Sequence, residues 1–124
     1  MDKRLAGLRI LVVEDEMVLV MFIEELLADS GCEAVATAAT VEQALALVDS
    51  QQPFDVGMLD LNLKGALSYP VADALAARKV PFLFATGYGT HGINDRYRDR
   101  PVLQKPFDYE ELVGVLTDLT EGKV

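Results

Sequence analysis

Four polar clusters in this chain each follow an apolar run. Glu14-Asp15 follows Ile10-Leu11-Val12-Val13, and Asp60 follows Val56-Gly57-Met58-Leu59. Thr86 follows Phe82-Leu83-Phe84-Ala85, and Lys105 follows Val102-Leu103-Gln104. If these runs are parallel strands, all four clusters meet at one edge of one sheet, where open α/β sheets bind ligands. Two or three carboxylates in one pocket repel one another, and either proton sharing or a bound cation relieves the repulsion. A hard divalent ion, Mg²⁺ above all, binds through one or two carboxylates and keeps waters that a phosphate can replace. Lys105 adds a point charge suited to phosphate, and Thr86 adds a hydroxyl donor. Together they describe a carboxylate, Asp60, that accepts a phosphoryl group as nucleophile.

Taken singly, each residue has a plainer account. Glu14-Asp15 suits the positive end of a helix dipole. Asp60 starts a loop, Thr86 ends a strand, and Lys105 is a surface cation. The weight lies in their convergence on one edge. His91, the only histidine, reads as a solvated loop residue. Cys32 reads as a small packed side chain.

The elements that must position these groups follow from the apolar pattern. Leu8 to Val13 is a short run suited to a strand buried on both faces. Met17 to Ser30 is a helix ending at Gly31, with Leu19, Phe22, Ile23, Leu26 and Leu27 as its core stripe. Met17 and Met21 project from the other side and read either as scattered surface apolar residues or as a partner-docking face. Glu33 to Ala38 is a weaker, Ala-rich strand. Thr40 and Gln43 form a capping box for a helix that buries Val41, Ala44, Leu45 and Val48. Phe54 to Leu59 is the third strand and delivers Asp60 to a polar loop. Tyr69-Pro70 opens a helix with Ala72, Leu75 and Ala76 inward. Phe82 to Ala85 is the fourth strand. Gly87 to Arg100 has no helical period and reads as a loop or frayed helix. Pro101 to Gln104 is the fifth strand, and the last helix turns Leu112, Val115, Leu116 and Leu119 inward.

This alternation predicts an α/β fold, a doubly wound five-stranded parallel sheet of order 2-1-3-4-5, flavodoxin-like, with a weak or irregular fourth helix. With 124 residues, 51% of them hydrophobic and 25% charged, the chain reads as one domain with a core at about residues 8 to 119 and short tails beyond. A net charge of -9 argues against nucleic-acid binding. One cysteine excludes an internal disulfide. No apolar stretch is long enough to span a bilayer and the N-terminus has no signal-peptide pattern, so a cytoplasmic protein is expected.

The set Val13-Glu14-Asp15-Glu16, Asp60 with Asn62, Thr86 and Lys105-Pro106-Phe107 resembles the receiver domain of two-component response regulators, the CheY-like fold. The resemblance runs from about Leu8 to Leu119. Pro81 to Tyr88 further resembles the FATGY subgroup, found mostly in alphaproteobacteria, whose members are often stand-alone receivers or receiver parts of stress-response regulators. The resemblance implies that Asp60 takes a phosphoryl group from a sensor histidine kinase or phosphotransfer protein, in a Mg²⁺-dependent reaction. It implies that Asp15 binds Mg²⁺ directly and Glu14 through water, with Asp60 and the backbone carbonyl of Asn62 completing the site. Lys105 and Thr86 would hold the phosphoryl oxygens, the Lys105-Pro106 peptide would be cis, and the first helix would dock on the kinase. A downstream protein target would read the result. Such a chain assists its own phosphorylation and dephosphorylation but is not a dedicated enzyme.

Two departures stand out. Lys64 stands where many receivers have proline. Val102 stands where a switch aromatic is usual, and Tyr88 is the candidate to replace it. Ordering of Gly87 to Arg100 on phosphorylation is the expected signal. Two other readings compete. A receiver-like scaffold could bind its partner without phosphorylation, against the intact Asp15, Asp60, Thr86 and Lys105. A haloacid-dehalogenase-type phosphatase would need a general acid where Asn62 stands.

Overall fold

The computed structural model describes residues 4–50, 52–87 and 93–121. Five parallel strands form the central sheet: β1 (Arg9–Val13), β2 (Ala34–Ala38), β3 (Val56–Asp60), β6 (Phe82–Thr86) and β7 (Val102–Gln104). Their spatial order is β2-β1-β3-β6-β7, the 2-1-3-4-5 pattern of the doubly wound class. β1, β3 and β6 are central strands rich in residues that bury on both faces, so they read as continuous apolar runs. The helices are α1 (Met17–Asp29), α2 (Val41–Asp49), α3 (Tyr69–Ala77) and α4 (Tyr109–Thr120).

Alternate strand residues feed two cores. Ile10, Val12, Met58, Leu83 and Leu103 pack with Ile23 and Leu27 of α1 and Leu112 and Leu116 of α4. Leu11, Val13, Leu59, Phe82 and Phe84 pack with Ala44 and Val48 of α2 and Val71, Ala72 and Leu75 of α3. At the opposite end of the sheet from the candidate site, Asp55 accepts from both the backbone N–H and the guanidinium of Arg9, which ties β3 to β1.

The caps follow the sequence. The Thr40 side chain accepts from Gln43 N, while the Gln43 amide reaches one residue further back, to Ala39 N. Asp108 and Glu111 make the reciprocal capping box of α4. Gly31 follows α1 with φ +87, a conformation glycine adopts without strain.

Several expectations need correction. In α1, Val20 is buried beside Ile23 and Leu27, whereas Phe22 is 44% exposed. Both sides of this helix are apolar, so the period alone does not fix its inward face. In α4, Val113 is fully buried and Val115 only partly so. The N-terminal tail is shorter than expected, because Leu5 is fully buried in the α1–α4 core and Gly7 N donates to Gly31 O at 3.1 Å. The loop after Asp60 is a two-residue hairpin, β4 (Asn62–Leu63) with β5 (Ala66–Leu67). Its turn needs positive φ at both Lys64 (+52) and Gly65 (+92), which proline cannot adopt.

The expected weak fourth helix is represented, among the described residues, by a single 3₁₀ turn, Asp95–Tyr97. Tyr88, Gly89, His91 and Gly92 lie outside the described residues. Residues 93–100 are held by long-range contacts. Tyr97 is buried, stacks on Tyr69 at 6.0 Å and meets Phe82 edge-on at 5.5 Å. Its hydroxyl donates to Asp73 of α3, and Arg96 pairs with the same carboxylate at 3.1 Å. Asn94 N donates to the Tyr69 hydroxyl at 2.7 Å. This cluster fastens the β6–β7 connection to α3. Tyr97→Ala is expected to cost about 3 kcal/mol in urea unfolding, and Tyr97→Phe about 1 kcal/mol. Equal losses would show that the hydroxyl bond, not ring packing, holds the connection.

Candidate functional site

Each candidate residue stands at or just past the carboxyl end of a strand, where a largely apolar run gives way to polar residues. Glu14 follows β1 and is locked by its backbone N–H, which donates to Ala38 O of β2 at 2.9 Å. Asp60 is the last residue of β3, and the next backbone N–H, of Leu61, donates to Ala85 O of β6. Thr86 is the last residue of β6 and is buried. Its carbonyl accepts from Lys105 N at 2.8 Å, so the start of the lysine stem is fixed against β6. The Lys105-Pro106 peptide is cis.

The structure brings Glu14, Asp15, Asp60 and Lys105 together. The three carboxylates each offer an oxygen within 4.8 Å of the others. Lys105 Nζ lies 2.6 Å from Glu14 Oε1 and 3.5 Å from Asp60 Oδ2. Glu14 is only 3% exposed and Asp60 9%. The second Glu14 oxygen accepts from Glu16 N at 3.1 Å. Thr86 stands on the strand beside Asp60, with Asp60 in register with Ala85. Asn62 is exposed, and its side-chain oxygen accepts from Gly65 N at 2.6 Å, so that oxygen serves the hairpin turn.

The electrostatics follow from burial. Burial pushes the Asp60 carboxyl above its ordinary range; Asp15 adds to the rise, while Lys105, Glu14 and the Asn62 backbone pull it back. Burial also raises Glu14, against the Lys105 hydrogen bond that favours its anion. Burial depresses the Lys105 ammonium, but Glu14 and Asp60 outweigh it and hold its pKa above the usual lysine value. One ammonium thus faces three carboxylates, a donor set that fits a hard, oxygen-seeking divalent cation such as Mg²⁺.

Sequence reasoning placed these residues but missed the cluster of Tyr69, Asp73, Ile93 and Tyr97 that fastens the connection after β6 to α3. The one available signal was Ile93 and Tyr97 at i, i+4 spacing.

Doubly wound parallel sheets with an acidic pocket at the switch point between β1 and β3 form a recognisable class. Residues 10–117 match the response regulator receiver domain, and the chain belongs to that family. Among solved structures it is similar to SdrG from Sphingomonas melonis Fr1, with 44% identity, a TM-score of 0.76, and 91% of this chain and 96% of that chain covered. It is similar also to the receiver domain of the sensor histidine kinase PA1611 from Pseudomonas aeruginosa PAO1, whose structure has a magnesium ion in the active-site cleft. There the identity is 28%, the TM-score 0.80, and the coverage 94% and 99%. The sensor protein TorS of Escherichia coli is 30% identical over 98% of this chain but only 14% of its own length. The chain spans about half, or less, of the curated relatives it matches. Among the described residues, no helix is long and apolar enough to cross a membrane.

A carboxyl whose pKa rises on folding carries its proton more readily in the folded chain. Its anion therefore costs stability above the folded pKa, and the cost disappears as pH falls below the unfolded value. Asp60→Asn is expected to melt roughly 3 °C or more above the wild type at pH 7.5, with the gap closing toward pH 4. A lower melting temperature at pH 7.5 would mean that attraction to Lys105 outweighs desolvation.

Proposed function

We propose that Asp60 accepts a phosphoryl group from the phosphohistidine of a sensor kinase or phosphotransfer protein, and that this chain is the phosphorylated partner in a cytoplasmic two-component pathway. The observation that carries the reading is a carboxylate at the end of β3, within 3.5 Å of an ammonium and grouped with two further carboxylates. Asp15 and Asp60, with Glu14 and the Asn62 carbonyl, would hold Mg²⁺, which supplies charge neutralisation for the transferring oxygens when bound. Asp60 supplies the nucleophilic oxygen. The phosphorus–nitrogen bond to the donor imidazole breaks as the Asp60 oxygen–phosphorus bond forms, and the imidazole leaves with the electron pair. Lys105 supplies positive charge beside the new acyl phosphate, and Thr86, on the adjacent strand, supplies a hydroxyl donor to its oxygens.

The motif Phe84-Ala85-Thr86-Gly87-Tyr88 supports membership of the FATGY subgroup, in which the chain acts as a receiver whose output is contact with a downstream protein. The similarity to SdrG, for which a BeF₃-activated conformation is known, accords with this. The partner face is α1. Met17, Val18 and Met21 are 70%, 76% and 62% exposed, and they adjoin a groove of about 360 Å³ lined by Glu16, Leu19, Phe22, Lys105, Pro106 and Phe107. That groove leads from the apolar helix face to the lysine of the site, which suits delivery of a phosphohistidine.

Incubation with a small phosphodonor such as acetyl phosphate is expected to add one phosphoryl mass, dependent on Mg²⁺ and absent in Asp60→Ala. Met17→Glu with Met21→Glu should leave that addition intact while cutting transfer from a phosphohistidine protein roughly tenfold, about 1.4 kcal/mol of lost docking. No addition from either donor would leave a phosphorylation-independent scaffold.

A further inference from the structure

The sheet edge opposite Asp60, where the strands begin, gathers cations that have no acidic partner. The chain has 20 acidic residues and 11 basic ones, so such a cation is the exception. Among the described residues, Arg4, Arg9, Arg96, Arg98 and Lys105 each form an ion pair with a carboxylate. Of the remaining cations, Lys64 stands in the hairpin turn, while Arg78, Lys79 and Arg100 lead into β6 and β7. The turn that carries Arg78 and Lys79 is a Schellman motif. Val80 N donates to Leu75 O and Lys79 N to Ala76 O, each at 3.0 Å. Its left-handed position, where glycine is usual, is Lys79 at φ +61. The turn therefore keeps a cation at a place where any side chain strains the backbone. Arg100 lies further along the same edge, its guanidinium 4.4 Å from the centre of the Phe82 ring at the start of β6.

The same turn walls a groove of about 330 Å³, lined by Val48, Pro53, Phe54, Leu75 and Val80, with Arg78 at its rim. Leu75 and Val48 belong to the buried core between α2 and α3, so packing fixes the floor of the groove. Its volume is at the low end for small-molecule pockets and gives room for one bulky apolar side chain. We propose that this groove docks an acidic segment of a partner protein. One apolar side chain of that segment fills the groove, and carboxylates beside it pair with Arg78 and Lys79, with Arg100 further along the edge. Charge complementarity selects this occupant. The net charge of -9 repels an acidic partner over most of the surface, so the unpaired cations of this edge set where it binds. A nucleic acid would meet the same cations through phosphates but leave the apolar groove unfilled. The five residues of β3, roughly 15 Å of strand, separate the groove from Asp60. Docking here leaves Asp60 open, so the edge is a tether that works whether or not the carboxylate is phosphorylated.

The test is an NMR titration of the ¹⁵N-labelled full chain with a short peptide in which a phenylalanine is flanked by glutamates. Backbone signals of residues 52–54 and 75–80 are expected to shift, with a Kd below about 1 mM. Arg78→Glu with Lys79→Glu, both at exposed positions, should weaken binding roughly tenfold. Lys79→Gly, which relieves the turn, should raise the melting temperature and still weaken binding, a pairing that loss of fold cannot produce. Alanine in place of the peptide's phenylalanine should cost a similar factor, and lysines in place of its glutamates should abolish binding. Asp60→Ala should bind the acidic peptide as the wild type does. No shifts at about 2 mM peptide, equal binding of the lysine peptide, or full affinity after the charge reversal would overturn the proposal. So would stronger displacement of the same signals by a single-stranded oligonucleotide, or sedimentation showing that the chain dimerises through Arg78. None of these readouts uses phosphorylation, so the docking edge and the acceptor role of Asp60 stand or fall separately.

Discussion

Gathering three carboxylates at one end of a sheet is the constraint on which the rest of this structure depends. Asp60 is the last residue of β3 and Glu14 directly follows β1, so parallel pairing fixes their backbones, while Asp15, one residue further on, is partly exposed. Glu14 and Asp60 remain nearly inaccessible, and burial raises both pKa values. Among the described residues, the ammonium beside them belongs to Lys105, whose backbone is also fixed by pairing, Lys105 N to Thr86 O. The pocket is thus poised by its fold rather than relaxed into a stable network. Stored repulsion of this kind disfavours the empty acidic site and favours whatever brings positive charge to it.

The architecture around that pocket was legible where burial is two-sided. β1, β3 and β6 are continuous apolar runs because helices cover both faces, and a run of that kind has few other readings. The four chemical positions followed from where those runs stop. α1 was less legible because Met17, Val18 and Met21 make its outer face as apolar as its inner one, so the choice of Val20 over Phe22 for the core depends on tertiary contact. The β4–β5 hairpin was hidden by its two-residue strands, though Lys64-Gly65 is a plausible two-residue turn in retrospect. Sequence alone also could not decide whether Lys105 favours Glu14 or Asp60, since that rests on less than one ångström.

The β6–β7 connection shows a different limit. Its charged and glycine-rich composition gives no period, yet Ile93 and Tyr97 are buried against α3 and β6. Tyr69, which stacks on Tyr97, follows the hairpin that begins after Asp60; the connection itself begins after Thr86. Two segments that flank the pocket are therefore joined to each other at a second point, through the Tyr69, Tyr97 and Asp73 contacts. Among the described residues, this cluster joins β6, α3 and the β6–β7 connection through the rings of Phe82, Phe84, Tyr69 and Tyr97.

The account turns on which atom receives the phosphoryl group. Borohydride reduces an acyl phosphate but leaves a free carboxylate untouched, and it converts the modified aspartate to homoserine. After phosphorylation in the presence of Mg²⁺, reduction and peptide mapping should find homoserine at position 60 and nowhere else. Reduction at Glu14, Asp15 or any other carboxylate, or none at all in a chain that has gained a phosphoryl mass, would contradict the assignment of Asp60 as the acceptor.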